Sequence, residues 1–185
     1  MNRQKIVSVA KSFVGSCACN KFKQTMAVAI GKVAGVDDNL NQIDWRPFVV
    51  ANNKVQGVST CGMFGNNVYN ICGIIDELWH IGQGLGVFEE FGRKNDCWIE
   101  YNKKMIMVPE PGDLLVLGTN EGTHVCIVDH CDGKILRTID AGQVCRCADV
   151  GHDQIGKQCV KAVIRNWQTI TIEGWISLTN LVDNE

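Results

Sequence analysis

Residues 111–143 read PGDLLVLGTNEGTHVCIVDHCDGKILRTIDAGQ, and this stretch decides the fold. Its runs "DLLVLG", "HVCIVDH" and "KILRTID" are rich in β-branched and aliphatic residues and are separated by turn signals, so they read as strands. Pro109, Pro111 and Gly112 make the turn into the first. Cys131, Asp132 and Gly133 suit a three-residue hairpin loop with Gly133 left-handed. That loop pairs His130 with Lys134 and sets His124 directly opposite Asp140, on one face of the sheet. A loop one residue shorter sends the two side chains to opposite faces.

Downstream, "CVKAVIRNW" and "TITIEGWISL" continue the strand character to the C-terminus. Upstream the pattern is helical. Ile6, Val9, Ala10, Phe13 and Val14 share a face over residues 3–14, and residues 20–34 read as a second helix ending near Gly35. Residues 35–58, rich in Asp, Asn and Gln and holding Pro47, read as a long connection. A helix from about Thr60 to Trp79 follows, with an apolar stripe of Phe64, Val68, Ile71 and Ile75, broken by "IGQGLG". Val87 to Tyr101 mixes Phe88, Phe91 and Trp98 with charges, as a short amphipathic helix or an irregular lid does. Helices first and an antiparallel sheet second make an α+β arrangement, N-terminal helices packed on a C-terminal sheet.

With 185 residues, 45% of them hydrophobic, the chain has enough for one well-filled core, and residues 1–185 read as a single domain. The net charge is −2 and the basic residues are scattered, so neither nucleic acid nor an anionic membrane surface is an expected partner. No apolar run approaches the roughly 20 residues that span a bilayer, and "MNRQKIVSVAKSFVG" lacks a signal-peptide core. The expectation is a protein made in the cytoplasm that, if exported, leaves by a route that reads no such signal.

Ten cysteines are many for a chain with this much core, and most are expected to be buried, reduced thiols, Cys72, Cys97 and Cys126 among them. The close pairs Cys17/Cys19 and Cys145/Cys147 stay open as to pairing. Cys145, Cys147, His152 and Cys159 lack the spacing of structural zinc sites, so no metal is expected there.

Cys61 differs from the rest by its place. Ser59 and Thr60 can cap the helix that follows, which puts Cys61 in the first turn. There the unpaired N–H groups and the helix dipole stabilise a thiolate, lowering the pKa from ~8.5 toward neutrality. The alternative is a plain core thiol, since Cys is among the most often buried residue types. A thiol hydrolase needs a thiolate, an imidazole within reach and a third polar group to fix the imidazole tautomer. His124 and Asp140 supply the last two. His80 reads as a helix C-cap, and His130 and His152 as solvated turn residues. Gln56, with the Cys61 N–H, is a candidate for holding an oxyanion, and Gln143 for orienting substrate or closing the turn after Asp140. Trp45, Trp98, Trp167 and Trp175 read as core or groove walls.

A Cys at a helix start, then "PGD" leading into a strand, then a strand opening with His124 and Val125 and a polar residue on the next strand, resembles the NlpC/P60 and CHAP superfamily of papain-like hydrolases. The likeness covers roughly Val58 to Gln143. It departs from the commonest pattern in having Ser59 and Thr60 before Cys61 and in offering Asp140 where many relatives carry His or Asn. "TIDAGQ" resembles a less common branch in which the Asp is followed by Gly-Gln, which favours Asp140 over Asp129 or Asp132. The resemblance implies a papain-like NlpC/P60-type fold, a Cys61–His124–Asp140 triad and no cofactor. It implies cleavage of amide bonds in bacterial peptidoglycan stem peptides, by an antibacterial effector or a phage lysin. Delivery to a target-cell periplasm or release by lysis goes with that role, as does an immunity protein or secretion-system component as partner. Two other functions use the same residues: an effector acting on a protein substrate as protease, deamidase or transglutaminase-like enzyme, and a noncatalytic binding module.

Overall fold

Among the described residues six antiparallel strands form one sheet, in the spatial order Trp98–Glu100, Thr171–Ile176, Leu114–Thr119, Gly122–Cys131, Ile135–Val144 and Lys157–Asn166. The computed structural model describes residues 2–15, 61–74, 85–119, 122–144 and 157–182. Along the chain these give helices α1 (Arg3–Ser12), α2 (Cys61–Cys72) and α3 (Leu85–Lys94). Then come β1 (Trp98–Glu100), β2 (Leu114–Thr119), β3 (Gly122–Cys131), β4 (Ile135–Val144), β5 (Lys157–Asn166), β6 (Thr171–Ile176) and a short α4 (Leu178–Val182). The architecture is α+β. The expected helix at residues 20–34, the connection at 35–58, the Ser59/Thr60 cap, Trp45, His80, Cys17 and Cys19 lie outside the described residues.

The sheet is covered on both faces, which is why β2 reads as an unbroken apolar run instead of alternating. On one face Ile6, Val7 and Ala10 of α1 and Phe64, Val68 and Tyr69 of α2 pack on Leu114, Val116, Val125, Ile127 and Ile139. On the other, Leu115, Leu117, Cys126, Val128 and Leu136 lie with Trp167 and Trp175, flanked by Tyr101, Met105 and Val108. Tyr101 meets the Trp167 ring edge-on at 5.5 Å. Trp167 and Trp175 are therefore core, and the second face is roofed by the chain that links β1 to β2.

Three local expectations are corrected. The cysteine helix stops at Cys72, short of Trp79, because Gly73 takes φ +73°, a conformation that ends helices and suits glycine. Ile71 is 49% exposed and leaves the stripe, while Tyr69 takes its place in the core. Trp98–Glu100 is a strand, following directly on α3, where a helix or lid was expected; it pairs with β6. Among the described residues no helix is long and apolar enough to cross a membrane.

Asp113, the last residue of "PGD", ties the ends of the chain to this sheet. One carboxylate oxygen accepts from Arg3 Nη1 at 2.7 Å and from the Leu178 N–H at 3.0 Å, and the other from the Glu110 N–H at 2.9 Å. The Tyr69 hydroxyl donates to the neighbouring Gly112 carbonyl at 3.0 Å, so α2 is bolted to the same turn.

Candidate active site

The position of Cys61 follows from how closely α2 lies on the sheet. Gly65, one turn on from Cys61, is the contact point: a Cβ there would stand 2.6 Å from Leu114 Cδ1 and 3.6 Å from Val125 Cγ1. Cys61 is only 5% exposed and belongs to the same packed cluster as Val125 and Ala141, the residues that follow His124 and Asp140 in their strands. The helix start thereby lies over the ends of β3 and β4 that carry the imidazole and the carboxylate, although His124 and Asp140 share the face of Cys126, opposite to the one Val125 and Ala141 turn to α2. The Cys61 thiol lies close enough to His124 to help raise its imidazole.

His124 Nε2 and Asp140 Oδ2 are 2.7 Å apart, and Asp140 is fully buried. With Nε2 turned to the carboxylate, the opposite ring nitrogen is the one left to serve the thiol. Burial alone would lower the imidazolium pKa, but the hydrogen bonds and charge of Asp140 and Cys61 outweigh it and His124 is raised to about 9. Burial likewise favours protonated Asp140, yet His124 and Arg165 hold its carboxyl below the ordinary range.

The hairpin reaches this geometry by a different register from the expected one. Gly133 is left-handed, with φ +81°, and Asp132 accepts from the Lys134 and Ile135 N–H groups, closing the turn. His130 pairs with Arg137, not Lys134, and Cys131 with Leu136. That offset alone would put His124 and Asp140 on opposite faces. A bulge between Val128 and His130 absorbs the extra residue, and beyond it Ile127 pairs with Ile139. Continuing the ladder sets Cys126 opposite Asp140, so His124 meets Asp140 diagonally, on the same face. The bulged residue, Asp129, is held by Lys11 of α1 at 2.7 Å.

Arg165 and Thr138 complete the cluster, and the sequence reading missed both. Arg165 Nη2 bonds Asp140 Oδ2, Nη1 reaches Oδ1 at 3.3 Å and also bonds Thr138, and the Thr138 hydroxyl donates to Oδ1. The available signal was parity: once β4 and β5 are paired, Leu136 faces Arg165, which puts the arginine on the face of Thr138 and Asp140.

The remaining candidates divide. Gln143 is half-buried on β4, paired with Cys159 across a bulge that begins at Asp140. Gln56 lies outside the described residues, as do Cys145, Cys147 and His152. Cys97, Cys126 and Cys159 are buried thiols, Cys72 is half-buried, and His130 is exposed. Within the described residues, no group of His, Cys, Asp and Glu side chains is arranged to hold a metal ion. The arrangement can move a proton between a thiol and an imidazole whose orientation a buried carboxylate fixes. No protein-family model matches the chain, and no curated protein matches it.

Proposed function

We propose that this chain is a cysteine hydrolase of papain-like, NlpC/P60 or CHAP type that cleaves amide bonds in bacterial peptidoglycan stem peptides. The observation that carries the chemistry is the pairing of His124 with buried Asp140 at 2.7 Å beside Cys61, whose thiol helps raise the imidazole and which opens a helix. The substrate class comes from the sequence resemblance.

In this reading His124 takes the Cys61 proton and the thiolate attacks the amide carbon, forming a C–S bond. The backbone N–H groups of the first turn of α2 are the donors that stabilise the oxyanion. When the C–N bond breaks, the imidazolium returns the proton to the leaving amine. Water, deprotonated by His124, then attacks the thioester and releases the carboxylic acid and the thiol. Asp140 keeps the imidazole in one tautomer throughout.

The test is digestion of purified peptidoglycan with the wild type and with Cys61→Ala, followed by mass analysis of the soluble fragments. The expected result is fragments with one new amine and one new carboxyl end, from the wild type alone. Identical fragment patterns from both proteins would overturn the assignment. Intact peptidoglycan with a reactive Cys61 would move the substrate to another amide, a protein side chain or backbone.

A further inference from the structure

A buried carboxylate beside a thiolate is an electrostatic problem. If Cys61 and His124 form an ion pair, Asp140 adds a second negative charge to a site sheltered from water, and such a site lowers its energy by taking up a proton. Arg165 supplies the missing charge. Its guanidinium bonds both oxygens of the Asp140 carboxylate and the Thr138 hydroxyl, which itself bonds that carboxylate. Thiolate, imidazolium, carboxylate and guanidinium then sum to zero.

We propose that Arg165 is a positioning residue of the thiol site, orienting Asp140 and balancing its charge so that Cys61 and His124 can persist as an ion pair near neutral pH. This rests on the Cys61–His124 reading above. The other titratable groups near the cluster do not do this work. Cys126 on β3 is fully buried, and burial pushes its thiol well above the ordinary range, so it stays neutral. Lys161 stands opposite Asp140 in the β4–β5 ladder but is only half-buried, where solvent screens its charge. Arg165, with 18% of its side chain exposed, is the cation in ion-pair contact with Asp140. A planar fork that engages two oxygens also fixes the direction of the carboxylate, which an ammonium group does less well.

The experiment is site-resolved alkylation of Cys61 by iodoacetamide from about pH 4 to about pH 10, on the full chain. It compares the wild type with Arg165→Met, Arg165→Lys and the double variant Asp140→Asn/Arg165→Met, with circular dichroism reporting the fold. Arg165→Met is expected to move the thiolate step up by about one pH unit, roughly a tenfold loss of labelling rate below it. Arg165→Lys should keep most of the wild-type profile. The double variant, which removes one charge of each sign, should move the step back toward the wild type. A step unmoved in a folded Arg165→Met, or a double variant displaced further than the single, overturns the proposal. Should Arg165→Met not fold, the other two variants decide by the same criteria. A wild type that shows no low-pH step overturns the Cys61–His124 reading instead, which the same data distinguish.

Discussion

Asp113 and Asp140 are both buried carboxylates at the sheet, each paired with an arginine, and they do opposite things. Asp113 spends its oxygens on two backbone N–H groups and Arg3, joining the first helix, the turn before β2 and the last helix. Asp140 spends its oxygens on side chains alone, His124, Thr138 and Arg165. Burial wins at Asp113, whose carboxyl is raised despite the Leu178 N–H, Arg3 and the Glu110 N–H. At Asp140 the charged partners win, and its carboxyl is lowered. A carboxylate that stitches backbone together stabilises the fold whatever its exact charge. One surrounded by titratable and cationic side chains controls a protonation state.

The largest expected effect lies on the Asp140 side. Asp140→Asn should lower turnover by about a hundredfold, because the amide holds the imidazolium weakly and can present the wrong partner to Nε2. Steady-state kinetics on purified peptidoglycan, the substrate proposed above, with thermal unfolding alongside, checks this, and wild-type turnover would place the third group elsewhere. Asp113→Ala is the mirror case. It leaves the Leu178 and Glu110 N–H groups and Arg3 without their acceptor, and about 3 kcal/mol of stability should go, read by denaturant unfolding. The thiolate step of Cys61 should stay where it is in the fraction that remains folded.

The pH dependence of stability sharpens the same contrast. His124 is raised from 6.5 to about 9, so its contribution is complete below about pH 6.5 and is lost as pH rises through about 9. The loss should amount to at most about 3–4 kcal/mol, given 1.36 kcal/mol per pH unit. Asp140 is lowered, so its contribution is complete above the ordinary carboxylate range and lost as pH falls through its folded value. Asp113 is raised and runs the other way, favouring the folded state as acid protonates it. Unfolding curves of Asp140→Asn should show a flattened alkaline loss, and those of Asp113→Asn should not. The smallest effect expected is at the core thiols. Cys126→Ala should cost about 1–2 kcal/mol by cavity formation, and half-buried Cys72→Ala less.

Much of this was legible before the structure. The strands from β2 to β6 announce themselves through β-branched runs, and Cys61, His124 and Asp140 stand out because a thiol, an imidazole and a carboxylate each fall at a helix start or on a strand. The register did not. The expected hairpin puts His124 and Asp140 on one face by a route the chain does not take, and the bulge that restores parity is held by Lys11, more than a hundred residues away in sequence. β1 escaped because three residues are too few to show alternation. Asp113 carries no signal of its own at the head of "DLLVLG", since its partners at Arg3 and Leu178 lie far from it in sequence. Arg165 sits in "CVKAVIRN", where alternation leaves charged residues looking solvated until β4 is laid beside it.

The central claim is that Cys61 and His124 act as a pair, and the alkylation rate of Cys61 against pH, compared between the wild type and His124→Ala by peptide-resolved mass analysis, tests it most directly. The account predicts a thiolate step well below the ~8.5 of a free cysteine in the wild type and its disappearance in His124→Ala. A wild-type profile that matches free cysteine, or one that His124→Ala leaves unchanged, would contradict it.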